Sequence, residues 1–102
     1  MDRVRALARQ NAAVIFSKNT CFMSHAIKRF FYELGVSPAI YELDEDSRGR
    51  DMELALLSLG CSPSVPAVFI GGVMVGSTEN VMSLHIDGSL IPMLKDAGAI
   101  WL

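Results

Sequence analysis

Cysteine is scarce in this chain: there are two, Cys21 and Cys61, in 102 residues. Two thiols cannot build a disulfide framework, and they supply no zinc set. Positive charge is short as well. Nine Lys and Arg against eleven Asp and Glu give a formal net charge of -2, with no basic block. That excludes direct nucleic-acid binding through a phosphate-tracking patch. Long apolar runs are missing too. The most apolar stretch, Val65 to Val75, is broken by Pro66, Gly71 and Gly72 and is too short to span a bilayer. The opening Met1-Asp2-Arg3-Val4-Arg5 is charged and no apolar segment follows it, so no secretory leader is expected. These absences lead to the expectation of a soluble intracellular protein, away from membranes, whose thiols start reduced.

What is present is a core. The chain is 51% hydrophobic and 20% charged, with a mean hydropathy of +0.35. Its length suits one domain, taken here as residues 1–102, large enough to fold without staples.

Along the chain, Val4, Leu7 and Ala8 recur at helical spacing in Asp2 to Gln10. Ala12 to Phe16 is apolar without alternation, the pattern of a strand buried on both faces. Cys21 to Leu34 reads as a helix with Met23, Ile27, Phe30 and Leu34 on its inner stripe and Ala26 and Phe31 beside it. Gly35 stops it. Ala39 to Leu43 is a second strand, followed by the acidic turn Asp44-Glu45-Asp46. Gly49 to Leu59 is a helix with Met52, Ala55, Leu56 and Leu59 inward. Val65-Pro66 opens a third strand, Ala67 to Ile70. Gly71-Gly72 turns it into Val73 to Val75. Ser77 begins a fourth helix, and Leu90 to Ala97 makes a fifth. A βαβ unit followed by a hairpin predicts an α/β fold: a four-stranded mixed sheet, half parallel, with helices on both faces.

Three places could carry chemistry. Cys21 follows a polar turn and stands where a helix begins. Unpaired backbone N–H groups and the positive end of the helix dipole favour a thiolate there, and Lys18 adds a nearby positive charge. This position favours a reactive thiol over a buried apolar one. Ser24 occupies the place a second thiol would need in a Cys-x-x-Cys motif, so Cys21 would work alone with an external thiol. His25 lies on the same helical face, but no acidic partner is evident for it. Val65-Pro66 is the second place: a cis bond would expose the Val65 backbone to a peptide-like ligand, whereas a trans proline would merely begin an edge strand. Ser77-Thr78 is the third, a helix start whose N–H groups suit a carboxylate as well as plain capping, with Glu79 as a competing charge.

Together the set Lys18-x-x-Cys21-x-x-Ser24, Ser64-Val65-Pro66 and Gly71-Gly72-x-x-x-Gly76-Ser77-Thr78 resembles the glutaredoxins over essentially the whole chain. More narrowly it is similar to the plant CC-type (class III, ROXY) glutaredoxins. The residues that carry this are Tyr41-Glu42-Leu43-Asp44, Gly60 to Phe69, Val75 to Thr78, Met82-Ser83-Leu84-His85 and the closing Ala99-Ile100-Trp101-Leu102. The resemblance implies a thioredoxin fold with a cis Pro66. It implies glutathione laid across the start of the Cys21 helix, with Lys18 near its glycine carboxylate, the Val65 backbone on its cysteinyl part, and Ser77 and Thr78 on its γ-glutamyl carboxylate. The implied activity is monothiol reduction of glutathione mixed disulfides by Cys21.

Departures from the family pattern matter. Phe22 stands where the class has a second adjacent cysteine, giving a Cys-Phe-Met-Ser site. The Pro-Tyr pair of the stronger reductases is absent. The site also differs from the Cys-Gly-Phe-Ser type that holds an iron–sulfur cluster, which makes a cluster the weakest reading. Cys61-Ser62-Pro63 stands where many glutaredoxins place Gln or Arg for glutathione, and Cys61 itself reads as structural. The closing Ala99-Ile100-Trp101-Leu102 resembles the class motif for engaging TGA-type bZIP transcription factors. It implies an adaptor role in cytoplasm and nucleus. By physics alone the tail has two readings, an exposed partner patch with Ile100 and Leu102 flanking Trp101, or a tail folded onto the last helix.

Overall fold

The computed structural model describes residues 2–61 and 64–100. Its order is α1 (Asp2–Gln10), β1 (Ala13–Ser17), α2 (Phe22–Glu33), β2 (Ala39–Glu42), α3 (Gly49–Ser58), β3 (Ala67–Ile70), β4 (Val73–Gly76), α4 (Thr78–Ile86) and α5 (Leu90–Asp96). The expected element order holds, with ends displaced by a residue where caps replace helical positions.

The sheet runs β2-β1-β3-β4. β1 and β2 are parallel, with Ile15 opposite Ile40. β1 and β3 are antiparallel, as are β3 and β4. Gly71 and Gly72 both take positive φ, 61° and 82°. A two-residue hairpin turn of this hand needs that of both its residues, and glycine adopts it at no steric cost.

β1 is buried along its whole length, and its side chains divide between two cores. Val14 and Phe16 face α1 and α3, meeting Val4, Ala8, Met52 and Leu56. Ala13 and Ile15 face α2, α4 and α5, meeting Ile27, Phe31, Val81, Leu90 and Leu94. Period-two alternation between two apolar layers is why β1 shows no polar face in the sequence. Phe16 stacks on Tyr41 and meets the edge of Phe69, each at a centroid distance of 5.6 Å. Burying each such side chain contributes about 1.5–3 kcal/mol.

Gly49 makes the close approach that seats α3. A Cβ there would overlap the backbone carbonyl of Leu43 at the end of β2. Among the described residues, no helix is long and apolar enough to cross a membrane.

The inner stripe of α2 differs from expectation. Its buried residues are Ser24, Ile27 and Phe31, while Met23 is 50% exposed and Ala26 is exposed. Ile27 sits on both stripes, and Phe31 rather than Phe30 is the fully buried member, which rotates the buried line by about one residue. The first turn of α2 overhangs the sheet at a cleft, and Met23 faces that cleft.

Candidate active site

Cys21 is not the first helical residue but the N-cap of α2, in extended conformation with φ -99° and ψ 115°. The turn that delivers it is closed locally: the Cys21 N–H donates to the Lys18 carbonyl at 3.0 Å. It is braced from the β2 side, where the Asn19 N–H donates to Asp44 Oδ2 at 3.0 Å. The acidic turn after β2 therefore holds the turn that presents the thiol.

The environment of the sulfur favours the anion. Burial pushes the Cys21 thiol up, but the nearby Ser24 hydroxyl and the N–H groups of Ser24 and Met23 outweigh it, and Lys18 adds its charge. The net pKa lies below the ordinary thiol value. Ser24 is fully buried, and its hydroxyl has no well-formed hydrogen bond among the described residues. We read it as a donor that engages fully when Cys21 ionises, because a thiolate attracts an O–H more strongly than a thiol does. His25 takes no part: its Nε2 lies 2.7 Å from the Asn19 carbonyl oxygen, fastening α2 to the preceding turn.

A cleft of about 630 Å³ opens beside the sulfur, lined by Cys21, Met23, Glu53, Ser64, Val65, Ser77, Thr78 and Glu79. The fold thus gathers Cys21, Val65, Ser77 and Thr78 from three separate stretches of chain. The Val65-Pro66 bond is cis, which settles the alternative left open by the residues alone. Pro66 is buried behind Val65. Ser77 caps α4 and its N–H donates to Asn80 Oδ1 at 3.2 Å. Thr78 Oγ1 is buried with no hydrogen-bond partner among the described residues. Thr78 itself lines the cleft, and a hydroxyl without a partner at a helix start can turn to donate to a bound acceptor.

Lys18 stands to one side, its ammonium 2.7 Å from Glu53 Oε2. Ser64 Oγ donates to that same oxygen at 2.8 Å. These hydrogen bonds, Lys18 first, hold the Glu53 carboxyl below its usual range against the opposing effect of burial, and the charges of Lys18 and Arg50 help. Glu53 was not singled out from the sequence. It lies off the apolar face of α3 and reads there as a solvated charge.

Cys61 is the opposite case. It is buried at 3% exposure, in sulfur–sulfur contact with Met74 at 3.1 Å, and burial pushes its thiol up. The tail, as far as Ile100, is folded back rather than an exposed patch. Ile100 is 6% exposed and packs in the α2/α4/α5 core with Ala99 against it. An apolar residue two places after Gly98 reaches back to the helices it has just left. Trp101 and Leu102, the rest of that motif, lie outside the described residues, as do Ser62 and Pro63.

Known proteins resemble this chain throughout. The glutaredoxin family model matches residues 13–75. Monothiol glutaredoxin-S10 of Arabidopsis thaliana is 65% identical over 102 residues, covering 100% of both chains. Glutaredoxin-C1 of Oryza sativa subsp. japonica is 60% identical over 103 residues, again covering 100% of both. Among solved structures, a buckwheat glutaredoxin–glutathione complex superposes with a TM-score of 0.93 at 39% identity, covering 98% of this chain and 91% of that one.

Proposed function

The chain belongs to the glutaredoxin family, and we propose that it is a glutathione-dependent monothiol oxidoreductase with Cys21 as its nucleophile. The observation that carries the reading is the cleft itself. Cys21 with its favoured thiolate, Val65 beside a cis proline, and Thr78 at the start of α4 line one space. A tripeptide with a central thiol and a carboxylate at each end matches that order. The buckwheat relative whose structure superposes on this chain is a complex with glutathione.

In this mechanism the Cys21 thiolate attacks the glutathione sulfur of a protein–glutathione mixed disulfide. A bond forms between Cys21 Sγ and that sulfur, the sulfur–sulfur bond to the substrate protein's cysteine breaks, and the released substrate thiolate takes a proton. A second glutathione thiolate then attacks the glutathione sulfur held on Cys21. Glutathione disulfide leaves and the Cys21 thiolate is restored. Ser24 cannot form a disulfide, so no internal thiol short-circuits the cycle. It serves instead by stabilising the thiolate that attacks and later leaves. Purified protein should show glutathione-linked reductase activity that Cys21→Ser abolishes; equal activity in both would remove the proposal.

The finer assignment rests on the sequence motifs. We place the chain among the CC-type (ROXY) glutaredoxins, acting in cytoplasm and nucleus as a redox regulator of TGA-type bZIP factors. In that role Ala99-Ile100-Trp101-Leu102 is the partner motif, with Ile100 anchoring it to the core rather than meeting the partner. Deleting Trp101 and Leu102, which leaves Ile100 in the core, should lose the partner and retain thiol chemistry. An adaptor with little catalysis is the competing reading. Phe22, next to Cys21 in sequence, is 90% exposed, an apolar ring open to a partner, and this favours it.

A further inference from the structure

The only ammonium close to the cleft among the described residues is already engaged. Lys18 Nζ lies 2.7 Å from Glu53 Oε2, and Ser64 donates to the same oxygen from the other side. Glu53 lines the cleft and so does Glu79, while the lining residues around them carry no fixed positive charge. The cleft therefore presents carboxylates where an anionic ligand must enter, and the Lys18 ammonium beside it is neutralised from within, with Arg50 the other cation whose charge reaches Glu53. The arrangement is held at both ends. Ser64 is buried immediately before Val65-Pro66, and Glu53 sits on α3, whose start is fixed by the close Gly49–Leu43 contact.

We propose that Glu53 is an affinity-setting residue: it holds Lys18 in an internal ion pair that a ligand carboxylate must displace, and so keeps anion binding beside Cys21 weak. The proposal rests on the glutathione reading for the identity of the ligand, but its electrostatic core does not. A ligand carboxylate would substitute for Glu53 on Lys18, and the displaced Glu53 would keep its hydrogen bond from Ser64. Glu53 touches no reacting atom; it acts through Lys18.

The test uses the full chain, wild type against Glu53→Gln. The amide retains an acceptor for Lys18 and Ser64 and removes the charge. Alkylation of Cys21 by anionic iodoacetate relative to neutral iodoacetamide reads the local potential without glutathione. That ratio should rise about two- to fivefold in E53Q, the span of one partly exposed ion pair. The rise should shrink when Lys18→Gln is also present. Glutathione, measured by calorimetry, should bind E53Q several-fold tighter than wild type. An unchanged ratio overturns the proposal. So does a raised ratio with weaker glutathione binding in E53Q, which would make Glu53 a ligand contact. A raised ratio with glutathione binding to neither protein upholds the electrostatic role of Glu53 and overturns the glutathione reading instead. Thermal melting of each variant separates these outcomes from misfolding.

Discussion

Ser24 lies one helical turn beyond Cys21, wholly buried, with its hydroxyl and its backbone N–H both favouring the Cys21 thiolate. The residue that replaces the second thiol of a dithiol motif is thus part of the machinery of the first. Ser24→Ala should raise the Cys21 pKa and slow its alkylation at neutral pH. Stability should change little, because the hydroxyl has no well-formed hydrogen bond among the described residues. The pH profile of iodoacetamide labelling checks this: unchanged profiles would show that the backbone N–H groups and Lys18 suffice.

The two cysteines should separate cleanly by reactivity. Cys21 is held below the ordinary thiol pKa and Cys61 above it. At neutral pH iodoacetamide should label Cys21 alone, with Cys61 labelled only on unfolding, as read by peptide mass spectrometry. The sign for stability follows from the same shifts. The unfolded chain ionises its thiols near pH ~8.5. A buried Cys61 that resists ionising contributes stability that is full below that value and lost as pH rises through its folded pKa. Cys21, depressed, contributes in the other sense: present above the unfolded value, and lost as pH falls through its folded pKa. Equal labelling of both sulfurs in folded protein would contradict this account.

Thr78 separates binding from folding. Its hydroxyl is buried and unpaired, so Thr78→Val should keep or slightly raise the melting temperature. Glutathione affinity should fall roughly tenfold, the loss of about 1.4 kcal/mol from one hydrogen bond to a charged acceptor. Calorimetry and thermal melting on the same variant check both halves. A fall in stability with unchanged affinity would make Thr78 structural.

Gly49 tests the fold rather than the chemistry. Its added Cβ would strike the Leu43 carbonyl, which is backbone and cannot rotate away. Gly49→Ala should cost about 1–3 kcal/mol and lower the melting temperature by roughly 4–8 °C per kcal/mol. The α3 start would move, and Glu53 with it, so the Glu53–Lys18 pair should weaken as well. A variant as stable as wild type would show that β2 and α3 part easily.

Much of the architecture was legible because β1 and β3 are apolar on both faces and glycines punctuate the elements. Gly71-Gly72 and Gly35 mark turns by chemistry that few other residues share. The cleft was half legible: Cys21, Val65 and Thr78 each stand at an element start, where backbone groups are unspent. Glu53 was not, since a charge off the apolar face of α3 gives no hint that the fold sets it beside Lys18. Met23 misled because a methionine outranks a serine in any apolar pattern, yet Ser24 is the one the fold buries. The tail was open between exposed and folded back, because a short apolar end carries no periodicity to decide it, and Ile100 returns to the core.

The most direct test of the whole account is a single turnover. The reduced protein is mixed with a glutathionylated peptide in the absence of free glutathione, and mass spectrometry locates the transferred glutathione. The account predicts glutathione on Cys21 alone, with one peptide thiol released per adduct and neither product formed by Cys21→Ser. Peptide thiol released without an adduct on Cys21, or released equally by Cys21→Ser, would contradict it.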